Sequence, residues 1–137
     1  NPYKDYTDLA LALDTIRSRW PGAELYATCA TGGRPDMALS VLGLLAGYTD
    51  APVWIEEHEV TARILHQNET WTIKNATGKT FSIIAIAPNT EVSEHGLEWE
   101  LDHAPLGLLA DTGISNVVRG TAKIQVHTGI AIAYLYE

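Results

Sequence analysis

A single cysteine in 137 residues, Cys29, leaves no partner for an internal disulfide, so the chain is not a small cross-linked secreted scaffold. Positive charge is also scarce: 9 Lys and Arg stand against 17 Asp and Glu, a formal net charge of -8. Such a surface excludes nucleic acid as a partner and excludes electrostatic attachment to anionic membranes, and a phosphate-bearing ligand would need a divalent cation as bridge. No apolar run reaches membrane length and no charged-then-apolar leader opens the sequence, which makes the cytoplasm the expected compartment. His58, His66, His95, His103 and His127 are scattered, with no His or Cys pair at ligand spacing, so no zinc site is expected. The sequons at Asn68 and Asn75 are read as chance in that compartment.

What the sequence does have is an organising stretch, Cys29-Ala30-Thr31-Gly32-Gly33-Arg34-Pro35-Asp36, placed where a strand hands over to a helix. Residues 23–28 alternate apolar and polar in the manner of a strand, and residues 37–46 are almost continuously apolar. Gly32 and Gly33 permit close approach of a ligand to the backbone, Pro35 suits a first helical turn, and Asp36 complements the helix dipole. Arg34 adds a planar cationic fork suited to phosphate. The turn reads either as a phosphate cradle or as a Gly-rich connection with a solvated Arg.

Before that stretch, Thr7 is placed to cap a helix carrying Leu9, Leu13 and Ile16 on one face and stopping at Trp20-Pro21-Gly22. Asp5 and Asp8 flank the helix start, where carboxylates either complement the dipole or face a ligand-bound magnesium ion. Gly47 ends the second helix, and a strand at 53–56 completes an α/β pattern. The remainder changes character: 60–65, 69–74, 80–87, 97–101, 114–118, 122–127 and 130–136 read as short strands between turns, with no helix required after Gly47. The expected fold is therefore a partial Rossmann-like α/β domain over 1–58, followed by an antiparallel, jelly-roll-like β-sandwich over 59–137. Two helices with one or two strands do not cover a parallel sheet, so another segment or chain is expected to complete it.

Five blocks in order then resemble the thiamine pyrophosphokinase family of bacterial type. They are Lys4-Asp5-Tyr6-Thr7-Asp8-Leu9, Ala30-Thr31-Gly32-Gly33-Arg34 with Asp36, Gly78-Lys79 leading to Ser82-Ile83-Ile84, Gly96-Leu97-Glu98-Trp99-Glu100-Leu101, and Gly113-Ile114-Ser115-Asn116. The resemblance covers the rear of a typical member; the front, with the opening strands and an acidic magnesium motif, is the part expected to be missing. It implies transfer of diphosphate from ATP to thiamine, giving thiamine diphosphate and AMP, with Mg2+ as cofactor. It also implies a homodimer, with each site between one subunit's nucleotide domain and the other's sandwich. Carried over, Asp5 and Asp8 hold magnesium and face the phosphates, and Asp8 is a candidate to accept the thiamine hydroxyl proton. Thr7, Thr31, Gly32, Gly33, Arg34 and Asp36 belong to the ATP site. Trp99 stacks on thiamine, and Ser115 and Asn116 hydrogen-bond near it.

The sequence departs from the family pattern in four places. Cys29 stands where the loop usually begins with Gly, Met37 where a His follows the Asp, and Val41 where an Asn is common. Leu108 and Leu109 replace a Phe-Gly pair, and Leu109 is expected to reshape the thiamine cleft. Two other readings compete with the enzyme. One is a non-enzymatic thiamine or thiamine diphosphate binding module; the other is an assembly protein whose β-rich part only dimerises.

Overall fold

The structure, a computed structural model, describes residues 7–137. Helix α1 spans Asp8–Arg19 because Thr7 caps it, its hydroxyl accepting the Ala10 N–H at 3.2 Å, while Asp8 and the Arg17/Arg19 pair complement the two ends of the dipole. Strand β1 (Leu25–Thr28) leads into α2 (Pro35–Ala46), which opens on a proline and closes where the Gly47 N–H caps the last carbonyls. Strand β2 (Val53–Glu57) lies parallel to β1, then turns at Glu59, whose φ is 61°, into antiparallel β3 (Val60–Leu65).

The rest is a sandwich whose first layer continues the same sheet. Strand β3 pairs with β9 (Ala131–Tyr136), and β9 with β5 (Thr80–Ala85). The second layer is built on the long β8 (Asn116–Thr128), flanked by β4 (Thr70–Ile73) on one side and β6 (Thr90–Leu97) on the other, with β7 (Leu101–Leu106) outside β6. The start of β8 also pairs with Thr80 and Phe81 of β5, which joins the layers at that edge.

Alternation along the central strands explains why the sheet is buried on both faces. Ile132 of β9 joins Leu13, Leu45, Tyr48, Val53, Ile55 and Ile64 beneath the helices. Its neighbours Ala131 and Ala133 face the other way, into the core of Trp71, Phe81, Ile83, Val92, Ile124 and Val126. Each fully buried aliphatic side chain contributes roughly 1.5–3 kcal/mol, whereas exposed ion pairs such as Arg17–Asp14 at 3.1 Å contribute about 0–1 kcal/mol. These two cores hold the fold.

Three sequence expectations need correction. The strand expected at 97–101 is instead the end of β6, a turn at 98–100 and the start of β7, and the segment before it, not expected as a strand, is the body of β6. The separate strands at 114–118 and 122–127 are one strand, β8, running through Arg119-Gly120-Thr121. The strand at 80–87 ends at Ala85.

A polar cluster ties the helical part to the sandwich. The His66 ring contacts two acceptors, Glu69 Oε1 and the Ala46 carbonyl, both at 2.7 Å, so both ring nitrogens must donate and the imidazole is held as its cation. The Glu69 hydrogen bond is the main cause of a raised His66 pKa. Burial pushes Glu69 upward, but hydrogen bonds from His66 and from Arg63, at 3.1 Å, outweigh it and its pKa falls. A raised pKa makes the His66 contribution to stability complete below about pH 6.5, its unfolded value, and lost as pH rises through the folded value. Between pH 6 and 9, His66→Gln should therefore reduce stability most on the acid side, by roughly 1–3 kcal/mol. Melting curves of both proteins across that range check this; a difference constant with pH would contradict it.

Candidate functional site

Six of the residues singled out by the sequence, Gly32, Gly33, Arg34, Trp99, Ser115 and Asn116, line two clefts that share no lining residue, while Thr7, Asp8, Thr31 and Asp36 line neither. The first lies between β1, the Gly-rich loop and α2, with a volume of about 530 Å³. Gly32, Gly33 and Arg34 line it, together with Leu9, Met37 and Val41. The φ of Gly33 is 81°, and Cys29, where the resembled pattern has Gly, keeps a left-handed φ of 53°. Glu57, at the end of β2, anchors the loop. Its Oε1 accepts the Ala30 N–H at 2.8 Å, the Thr31 N–H at 3.1 Å and the Thr31 hydroxyl at 3.1 Å. A carboxylate thus occupies the amides that the sequence offers to phosphate.

Arg34 is engaged within the loop as well. It grips Asp36 through Nε at 3.1 Å and Nη2 at 2.6 Å, and this pair, with the Met37 N–H, lowers the Asp36 pKa. Both side chains are largely exposed, so the pair is weakly held and an arriving anion can compete for the guanidinium. Asp8 sits exposed in the first turn of α1, next to Leu9 of the cleft wall, while Asp5 lies outside the described residues. Among the described residues, no three His, Cys, Asp or Glu side chains gather where they could hold a metal ion.

The second cleft, about 280 Å³, is lined by Glu94, Trp99, Leu101 and the 112–116 segment. Its centre is the β6–β7 turn. The turn is held by Asn116, whose Nδ2 donates to the Trp99 carbonyl at 2.7 Å and to Glu94 Oε2 at 3.3 Å. Asn116 Oδ1 accepts the Trp99 N–H at 3.1 Å and the Val117 N–H at 2.9 Å. All four hydrogen-bonding positions of that amide are used inside the chain. Asn116 therefore positions Trp99, whose side chain remains 62% exposed and open to a stacking partner. The Gly96 N–H donates to Glu100 Oε2 at 2.7 Å, and Glu98 pairs with Arg119, which fixes the two flanks of the turn. Ser115 is exposed on the rim with a φ of 62°, and its N–H donates to Ser82 Oγ at 3.0 Å.

Glu94 was not singled out by the sequence reading. It is 1% exposed, its Oε1 has no hydrogen-bond partner, and burial raises its pKa to about 7. The signal that could have found it is the period of two in Thr90, Val92 and Glu94, which places this acid on the buried side of β6. Leu109 lines an apolar groove with Leu39, Leu42, Ile130 and Tyr134 rather than the Trp99 cleft, and its φ of 55° is left-handed, the conformation a Gly adopts freely.

Residues 66–131 match the family described as thiamin pyrophosphokinase, vitamin B1 binding domain. Among solved structures, the chain is similar to thiamine pyrophosphokinase from Bacillus subtilis, with a TM-score of 0.81 and 24% identity over 97% of this chain and 64% of that one. The enzyme from Geobacillus thermodenitrificans gives a TM-score of 0.77 and 23% identity over 98% and 63% of the two chains. That from Candida albicans gives 0.69 and 14% over 83% and 44%. No curated protein matches the sequence. The chain thus spans about two thirds of the bacterial enzymes it resembles. It has the fold of the thiamin pyrophosphokinases, and the segment that matches the vitamin B1 binding domain, residues 66–131, contains the Trp99 cleft.

Proposed function

We propose that this chain is the thiamine-binding part of a thiamine diphosphokinase, with thiamine held in the Trp99 cleft. The observation that carries the reading is the Trp99 turn: an exposed indole presented on a backbone that Asn116 locks, within the segment that matches the vitamin B1 binding domain. A rigid aromatic face attracts a cationic heteroaromatic ring by stacking and cation–π attraction. In the complete reaction, the loop at Thr31, Gly32, Gly33 and Arg34 binds the phosphates of ATP, and diphosphate passes to the thiamine hydroxyl. Magnesium for that step needs ligands beyond Asp8; Asp5 is the other candidate. Two clefts without a shared lining residue suit a homodimer in which one subunit's loop faces the other's Trp99.

A second reading, a binding module without transfer activity, is favoured by one observation: Glu57 fills the loop amides and Asp36 holds Arg34. One sample separates the two. Thiamine at a hundredfold excess over its dissociation constant should raise the melting temperature by about 5–10 °C under either reading. AMP formed from ATP, magnesium and thiamine would establish the transferase, and thiamine binding without AMP would establish the module. An unchanged melting temperature at saturating thiamine would contradict both.

A further inference from the structure

The Trp99 cleft offers a ligand a face but, with Asn116 saturated, little obvious edge. Glu94 supplies it. The residue lines the cleft, is 1% exposed, and is held by one oxygen only: Oε2 receives Asn116 Nδ2, while Oε1 has no donor. A buried acceptor without a donor is unfavourable, and more so when ionised, so a fold retains one where a ligand completes it. The same Asn116 amide fixes Glu94 and the Trp99 backbone, so the acid and the turn that carries the indole have a set relation to one another. The cleft volume, about 280 Å³, exceeds the ~150 Å³ that accommodates a benzene ring.

We propose that Glu94 is the specificity-determining residue of this cleft, its Oε1 accepting an N–H from the exocyclic amino group of a heteroaromatic ring stacked on Trp99. The proposal rests on the reading of the cleft as the thiamine site and adds to it what the cleft recognises: an amino-substituted ring, of which the thiamine pyrimidine is one. The raised pKa of Glu94 has the same physical origin, a carboxyl group deprived of solvent and donors. An oxo group in place of the amino group would set oxygen against oxygen, and rejection by unpaired buried polar atoms is far stronger than rejection by size.

The test compares the affinity of the 137-residue chain for thiamine and for its analogue with oxygen in place of the pyrimidine amino group. The wild type should bind thiamine about a hundredfold more tightly. Glu94→Gln, whose amide can turn a donor toward the oxo group, should bring the ratio within about threefold of unity or reverse it. Glu94→Leu should abolish the preference while Trp99 still binds both. An unchanged ratio in both variants, with both compounds bound, overturns the role of Glu94 and leaves the thiamine site standing. Absence of binding of either compound to the wild type overturns the thiamine reading and this proposal with it.

Discussion

Gly96→Ala should destabilise the chain by about 3–5 kcal/mol, lowering the melting temperature by roughly 10–20 °C. Gly96 has a φ of 80°, and a Cβ built there falls 2.2 Å from the Thr121 carbonyl oxygen and 2.9 Å from the Ala122 Cα. Both are backbone atoms of β8, so no side chain can swing aside. The contact sits at the register shift between β6 and β8, where β6 must approach closely before it turns toward Trp99. Relieving it would part the strands that carry the second layer. Gly78→Ala is the control: its φ is 89°, yet nothing lies within 4 Å of its Cβ, so only the backbone strain of about 1–2 kcal/mol remains. Paired melting curves of the two variants test this, and equal losses would show that close packing at Gly96 is not the cause.

Glu94→Gln should make the protein more stable above pH 7, by an amount on the order of 3 kcal/mol that vanishes near pH 4. Burial raises the folded pKa to about 7, and Glu94 Oε1 has no compensating donor. Between the ordinary carboxylate value and about 7, the folded state binds the proton that the unfolded state has released. Stability therefore falls as pH rises through that window, and it stays low above it. The variant removes this dependence because an amide does not ionise, while its oxygen still accepts from Asn116. His66 also loses its contribution on the alkaline side, so the difference between wild type and variant, rather than either curve alone, isolates Glu94. Denaturant titrations at pH 5 and pH 8 supply that difference. A gain equal at both would contradict an ionising Glu94. A gain confined to pH 8 would identify a residue whose burial opposes stability, as expected where a group is kept for a ligand.

The parts of the fold legible in the sequence were those where apolar pattern and turn chemistry agree. Thr7, Pro35 and Gly47 marked helix ends at the observed positions, and the runs at 53–56 and 60–65 were read as strands because turn residues bound them. Strand β6 was missed because Glu91, Ser93, Glu94 and His95 make it look like a loop. Its order comes from pairing with β7 and β8, which no local pattern displays. Strand β8 was split at Gly120 for the converse reason: a glycine between polar residues imitates a turn, while long-range pairing on both sides keeps the strand continuous.

The site divides along the same line. Trp99, Ser115 and Asn116 came from a motif, and the structure gathers all three about one cleft. The occupant of the loop amides was hidden, since Glu57 lies 26 residues beyond Thr31 and meets it only because β1 and β2 run parallel. Glu94 was hidden because an acid in a polar stretch reads as solvated until its burial is known.

Binding of thiamine at the indole of Trp99 is the central claim, and calorimetric titration of thiamine into the wild-type chain and into Trp99→Ala tests it most directly. Saturable binding with one site per chain, weakened about tenfold or more by the substitution, is the expected result. Equal affinity in the two proteins, or no saturable heat in the wild type, would contradict it.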